Sequence, residues 1–194
     1  MVSIDAGFLG LMLYPNAKPP KDPNTKKPTE KVVERIEKLL EDLDLTHERI
    51  IIPAPALSEF LVLVGKAGPE YLNDISNQPS FYVKSFDQMA AVELAAMELL
   101  ARSKGPKRLP ASPDAPWQKV KFDRQIVAIS KLHGAHTIYS DDGDIKNIAE
   151  DIGIKVIPCW ELDLPQSKTP LFDNVPSLDP TIAPKRRIIL PDDD

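Results

Sequence analysis

HTIYSDDGDIKNIAEDIGIKVIP, residues 136–158, decides the fold. HTIYS reads as a strand, DIKNIAEDIG as a short helix ending at Gly153, and IKVIP as a further strand. A strand, a helix and a strand in immediate succession imply parallel neighbours, because the helix returns the chain to the starting edge. Between the first strand and the helix, SDDGDI (140–145) places the carboxylates Asp141, Asp142 and Asp144 within four positions. Such a corner is either a turn capped by aspartates or a metal site where a cation offsets their repulsion.

The rest of the chain repeats the alternation. VSID (2–5) reads as a short buried strand, and the apolar AGFLGLMLY after it as a helix. Thr29 is placed to cap the next helix, with Glu30 in its first turn. Val32, Val33, Ile36, Leu39, Leu40 and Leu43 then recur at helical spacing. RIIIP (49–53) is a second strand. Pro55 opens a helix whose inner stripe is Leu57, Phe60, Leu61 and Val64. PEYLNDIS is a short helix and FYVKS (81–85) a third strand, after which Ser85 and Gln88 form a capping box for a helix to about Leu100. Residues 118–133 form another, with Phe122, Ile126, Ile129 and Leu132 on one side. The strands are nearly all apolar, as parallel strands covered on both faces must be. The expected fold is a three-layer α/β/α domain with a parallel sheet of about five strands, spanning residues 1–160. A Pro-rich extension, 161–194, follows, with RIIL (187–190) as an added strand or docking segment.

Composition narrows the class. The chain has 194 residues, 42% hydrophobic and 27% charged, enough for one domain with a core. The 20 prolines gather in loops and tail, while glycine is scarce at 8. No apolar run is long enough to span a membrane, and the N-terminus lacks a basic segment and is interrupted by Asp5, so a cytoplasmic protein is expected. One cysteine, Cys159, supports neither a disulfide framework nor a thiolate zinc site. The net charge of -5 argues against a protein that coats nucleic acid. Charge is uneven, however: Arg102, Lys104, Lys107, Arg108, Lys119, Lys121 and Arg124 face only Asp114 and Asp123 within one stretch. That balance suits local phosphate binding, although lysines in loops are commonly just solvated.

Function in a parallel α/β sheet sits at the carboxyl ends of the strands. Asp5 ends strand one, and Asp141 and Asp142 end strand four. Glu59 lies about one turn into the helix after strand two, and Asp123 one to two turns into the helix before strand four. Topology thus draws four chain-distant acids to one edge. Each alone has a structural reading, as a cap or a partner of a helix dipole; Glu59, between Leu57 and Phe60, is the hardest to explain so. Clustered carboxylates suit Mg²⁺ or Mn²⁺. SDDGDIKNIAED lacks the spacing of a calcium-binding EF-hand loop, and there is neither a dinucleotide fingerprint nor a P-loop. Ser58 has no nucleophile-elbow context. The acid doublet follows strand four rather than strand one, unlike a receiver, and VSIDAGF lacks the D-x-D of a haloacid-dehalogenase-like phosphatase.

VSIDAGFLGLML, IIPAPALSEFLV, KFDRQIVAISKLHGAHTIYSDDGDI and IAEDIGIKVI, in this order, resemble the PIN-domain ribonucleases, including the VapC-like toxins. The resemblance covers residues 2 to about 158. It implies catalytic acids at Asp5, Glu59, Asp123 and Asp142, with Asp144 added to them as metal ligands. Ser140 stands at the hydroxyl position of the fourth motif, Asp141 where the family varies, and Ile145 in place of a common aromatic. The implied activity is Mg²⁺- or Mn²⁺-dependent endonucleolytic hydrolysis of single-stranded RNA. Lys104, Lys107, Arg108, Lys119, Lys121 and Arg124 would grip flanking phosphates, and Trp117 would stack a base or anchor the fold. An antitoxin partner and a homodimer follow from the same resemblance. The competing reading is a non-cleaving RNA- or protein-binding module on this fold, favoured by the long Pro-rich loops and tail.

Overall fold

Val2–Ile4 forms β1, the central strand, and its three residues are all buried. The structure, a computed structural model, describes residues 1–103 and 117–165, without the side chains of Arg102, Trp117 and Gln118. Lys104, Lys107 and Arg108, the role of Trp117, and the RIIL segment lie outside the described residues.

The chain continues through α1 (Ala6–Leu13), α2 (Val32–Leu45), β2 (Ile50–Pro53), α3 (Ala54–Val64), α4 (Gly68–Asn77), β3 (Phe81–Lys84) and α5 (Gln88–Ser103). After the segment left undescribed come α6 (Trp117–Leu132), β4 (Thr137–Tyr139), α7 (Gly143–Asp151) and β5 (Lys155–Ile157). The five strands form one parallel sheet in the order β3-β2-β1-β4-β5. Side chains alternate across each strand, and the core divides accordingly. Val2, Ile4, Ile50, Ile52 and Tyr139 pack with Phe8, Leu9, Ile36, Leu39, Phe60 and Ile75 on one face. Ile138 and Val156 pack with Ile126, Val127, Ile145 and Ile148 on the other, and Ile51 meets Ala90 and Ile129 there. Helices therefore cover both faces, and the three-layer α/β/α architecture with five parallel strands is the one the sequence implies. Among the described residues no helix is long and apolar enough to cross a membrane.

The order places β1 between β2 and β4, where the chain reverses its direction of growth. The carboxyl ends of β1 and β4 are paired in register through Ile4 and Tyr139, so Asp5 and Ser140 emerge side by side. Gly134 and Gly153 end α6 and α7 at φ +72° and +81°, a left-handed turn that only glycine takes without strain.

Several local expectations give way to tertiary context. Thr29 does not cap α2: its hydroxyl donates to the carbonyl of Pro20, and the N-cap is Lys31 in a left-handed conformation. α5 is capped by Asp87, whose carboxylate accepts from the Ala90 N–H at 2.9 Å, rather than by Ser85. Val33 is 66% exposed and Phe122 40%, so neither belongs to the inner stripe. Packing also runs past residue 160, since Leu162 is buried in the α2 side of the core.

Candidate metal centre

Asp5 follows β1 directly and is the N-cap of α1. Its Oδ1 accepts the Phe8 N–H at 2.7 Å, and its Oδ2 accepts the Ser140 hydroxyl. Burial pushes its carboxyl up to about 7. Those two donors favour the ionised form but do not offset the lost hydration, and Asp141 and Asp142 repel it further.

Asp142 has the equivalent role after β4. It is the N-cap of α7, its Oδ1 accepting the Asp144 N–H at 2.7 Å, while its own N–H donates to Ser140 Oγ at 3.0 Å. Ser140 thus ties the two strand ends together. Asp144, buried in the first turn of α7, is not the cap; one residue of helix separates the two roles. Asp141 turns away. Its Oδ1 accepts the Cys159 N–H at 2.7 Å, and burial lifts it to about 6.

Asp123 arrives from α6 and is 5% exposed. Its Oδ2 is buried without a hydrogen-bond partner. Burial raises its carboxyl to about 7, with Asp142, Asp144 and Glu59 adding repulsion and Lys119 opposing it. Carboxylate oxygens of Asp123, Asp142 and Asp144 all lie within 4.8 Å of one another. Three hard oxygen donors at that spacing, beside a buried Oδ2 that lacks a hydrogen bond, fit a divalent cation.

Glu59 stands outside this trio. It is exposed on α3, yet it shares the field: partial loss of hydration raises its carboxyl, Lys119 opposes and Asp142 reinforces. Asp5 likewise adjoins the trio through the shared β1–β4 edge rather than lying within it. Of the five acids expected as ligands, three converge on one point and two flank it.

Lys119, expected to grip a flanking phosphate, has its ammonium among the acids, 2.6 Å from Asp142 Oδ2, 3.4 Å from Asp144 Oδ2 and 3.9 Å from Asp123 Oδ2. Burial pulls its proton affinity down, but the three carboxylates together hold it above the ordinary lysine value. The signal was present, because Lys119 and Asp123 are four apart on one helix face. Arg124 pairs with Glu98 of α5, bracing the helices, and Lys121 is exposed.

No protein-family model and no curated protein matches this chain in sequence. Among solved structures it is similar to a chain of the DNA-bound VapBC from Salmonella typhimurium. The two share 16% identity and a TM-score of 0.48, over 82% of this chain and 99% of that one.

Proposed function

We propose that the protein is a divalent-metal-dependent endoribonuclease acting on single-stranded RNA. The observation that carries the reading is the grouping of Asp123, Asp142 and Asp144 carboxylate oxygens within 4.8 Å of one another, with the Asp123 Oδ2 buried and lacking a hydrogen bond. A buried acceptor without a donor is costly, of order 1–3 kcal/mol, and such groups persist where something else satisfies them. Asp123, Asp142 and Asp144 would hold the cation, with Asp5 and Glu59 as the flanking acids of the catalytic set. When bound, Mg²⁺ or Mn²⁺ supplies a Lewis acid that neutralises charge on a phosphate oxygen and acidifies water beside it. Asp5, titrating at about 7, is poised to accept or hold a proton at neutral pH. Ser140 keeps its carboxylate in place, and α1 orients it through the Phe8 N–H. The toxin role, an antitoxin partner and a homodimer belong to the same reading and rest on the sequence resemblance; the cytoplasmic setting rests on composition.

The test is cleavage of a mixed RNA pool in Mg²⁺ or Mn²⁺ with end mapping, using Asp5→Asn and Asp142→Asn as controls. Metal-dependent cleavage lost in both variants is expected; undiminished cleavage in both removes these acids from the chemistry.

A second reading has one observation in its favour. The Lys119 ammonium reaches all three carboxylates, so the cluster is partly neutralised from within. A non-cleaving RNA- or protein-binding module could keep the cluster on those terms. Divalent titration separates the two: a metal centre gains thermal stability by mass action, a self-neutralised cluster does not.

A further inference from the structure

A cleft of about 350 Å³ opens beside the acids and shares Ser140, Asp141 and Asp142 with them. Its lining also includes Lys21 and Asn24 of the Pro-rich loop after α1 (residues 15–28), Lys146 of α7, Trp160 and the acidic Glu161. That loop is held in shape by its own hydrogen bonds. Asp22 accepts from the Asn24 N–H at 2.8 Å and the Thr25 hydroxyl at 3.0 Å, and Lys21 and Pro28 form an isolated antiparallel bridge. Thr29 closes its base on the Pro20 carbonyl, through its N–H at 2.7 Å and its hydroxyl at 2.9 Å.

The chemistry of the walls is specific in kind. Two ammonium groups suit phosphates, although Lys146 also lies 3.9 Å from Glu150. A half-buried indole suits the face of a base, and an asparagine amide suits its edge. The volume is within the range of small-ligand sites. Resting on the ribonuclease reading, we infer that this cleft is a subsite for one nucleotide of a single RNA strand next to the bond cut at the acids. Trp160 stacks its base while Lys21 and Lys146 pair its phosphates. Asp142 belongs to both the acid cluster and the cleft, so a strand crossing it reaches the cleft. The acids themselves repel phosphate, so the lysines mark the side on which the strand leaves them.

The experiment measures anisotropy of a fluorescent single-stranded RNA heptamer in chelator, across a salt series, alongside Mn²⁺-linked thermal stabilisation. A DNA heptamer serves as the parallel arm. Variants are Trp160→Ala and the double change Lys21→Ala with Lys146→Ala; the lysine pair guards against an indole substitution that merely loosens the fold. Trp160→Ala is expected to weaken RNA binding about five- to hundredfold. Removing both lysines should reduce the slope of log affinity against log salt by about 1.4. The Mn²⁺ response should be unchanged in both. Unaltered RNA affinity and salt slope in the variants, with the Mn²⁺ response intact, overturn the subsite and leave the ribonuclease reading standing. Weakened RNA binding in a protein that never responds to Mn²⁺ supports the cleft and removes the nuclease. DNA bound as tightly as RNA overturns the assignment to RNA.

Discussion

Replacing Asp123 by asparagine should stabilise the protein in chelator while abolishing its response to divalent cations. The size follows from the cluster's geometry. At an effective dielectric of about 20, two carboxylates at the 4.8 Å limit repel by about 3.5 kcal/mol, and Asp123 faces two such neighbours. Lys119 at 3.9 Å returns about 4 kcal/mol of attraction, leaving a net repulsion of roughly 3 kcal/mol. The lysine side chain is 45% exposed, so solvent screening brings the working range to about 1–3 kcal/mol. The amide is nearly isosteric, carries no charge, and can donate to the facing carboxylates. The pH dependence has a definite sign. Asp123 titrates at about 7 in the folded protein against 3.8 for a free carboxyl. Between those values the folded chain holds a proton that the unfolded chain has released, so stability falls as pH rises through the window. The gain from Asp123→Asn is therefore near zero below about pH 4 and complete above about pH 7. For a chain of 194 residues it corresponds to a rise in Tm of about 2–10 °C at pH 8. Thermal denaturation at several pH values, in chelator and then in Mn²⁺, measures both effects. A variant that is less stable than wild type at pH 8 in chelator, and just as responsive to Mn²⁺, would refute the electrostatic account.

Lys119→Met removes the ammonium that reaches all three acids; stability in chelator at pH 8 should fall, and the Mn²⁺ concentration at half-response should drop about tenfold. The fully buried thiol of Cys159, pushed up to about 12 by burial and then by Asp141, should react with a soluble disulfide reagent at pH 8 only after denaturation. Phe60→Ala empties a fully buried site under α3 and should cost about 3–5 kcal/mol in denaturant unfolding. Asp87→Ala deletes the cap of α5 and should cost about 1 kcal/mol by the same assay.

The sequence by itself determined the alternation of strand and helix, because buried parallel strands are short continuous apolar runs and the helices between them keep their own period. It also determined that Asp5 and Asp142 would share an edge, since both follow strands directly and strand ends are fixed by topology. Distances along α3 and α6 were another matter. Glu59, beside Phe60, turned outward, and the exposed Lys119 leaned over the acids, because where a helix side chain ends up depends on the helix's rotation against the sheet and not on its neighbours in the chain. The cap of α2 moved for a similar reason: a hydroxyl such as that of Thr29 bonds whichever carbonyl the loop brings within reach. Only the tertiary structure could decide which acids meet at one point, and that a lysine would meet them there, because charges far apart in the chain are brought together by packing that is indifferent to their spacing in the sequence.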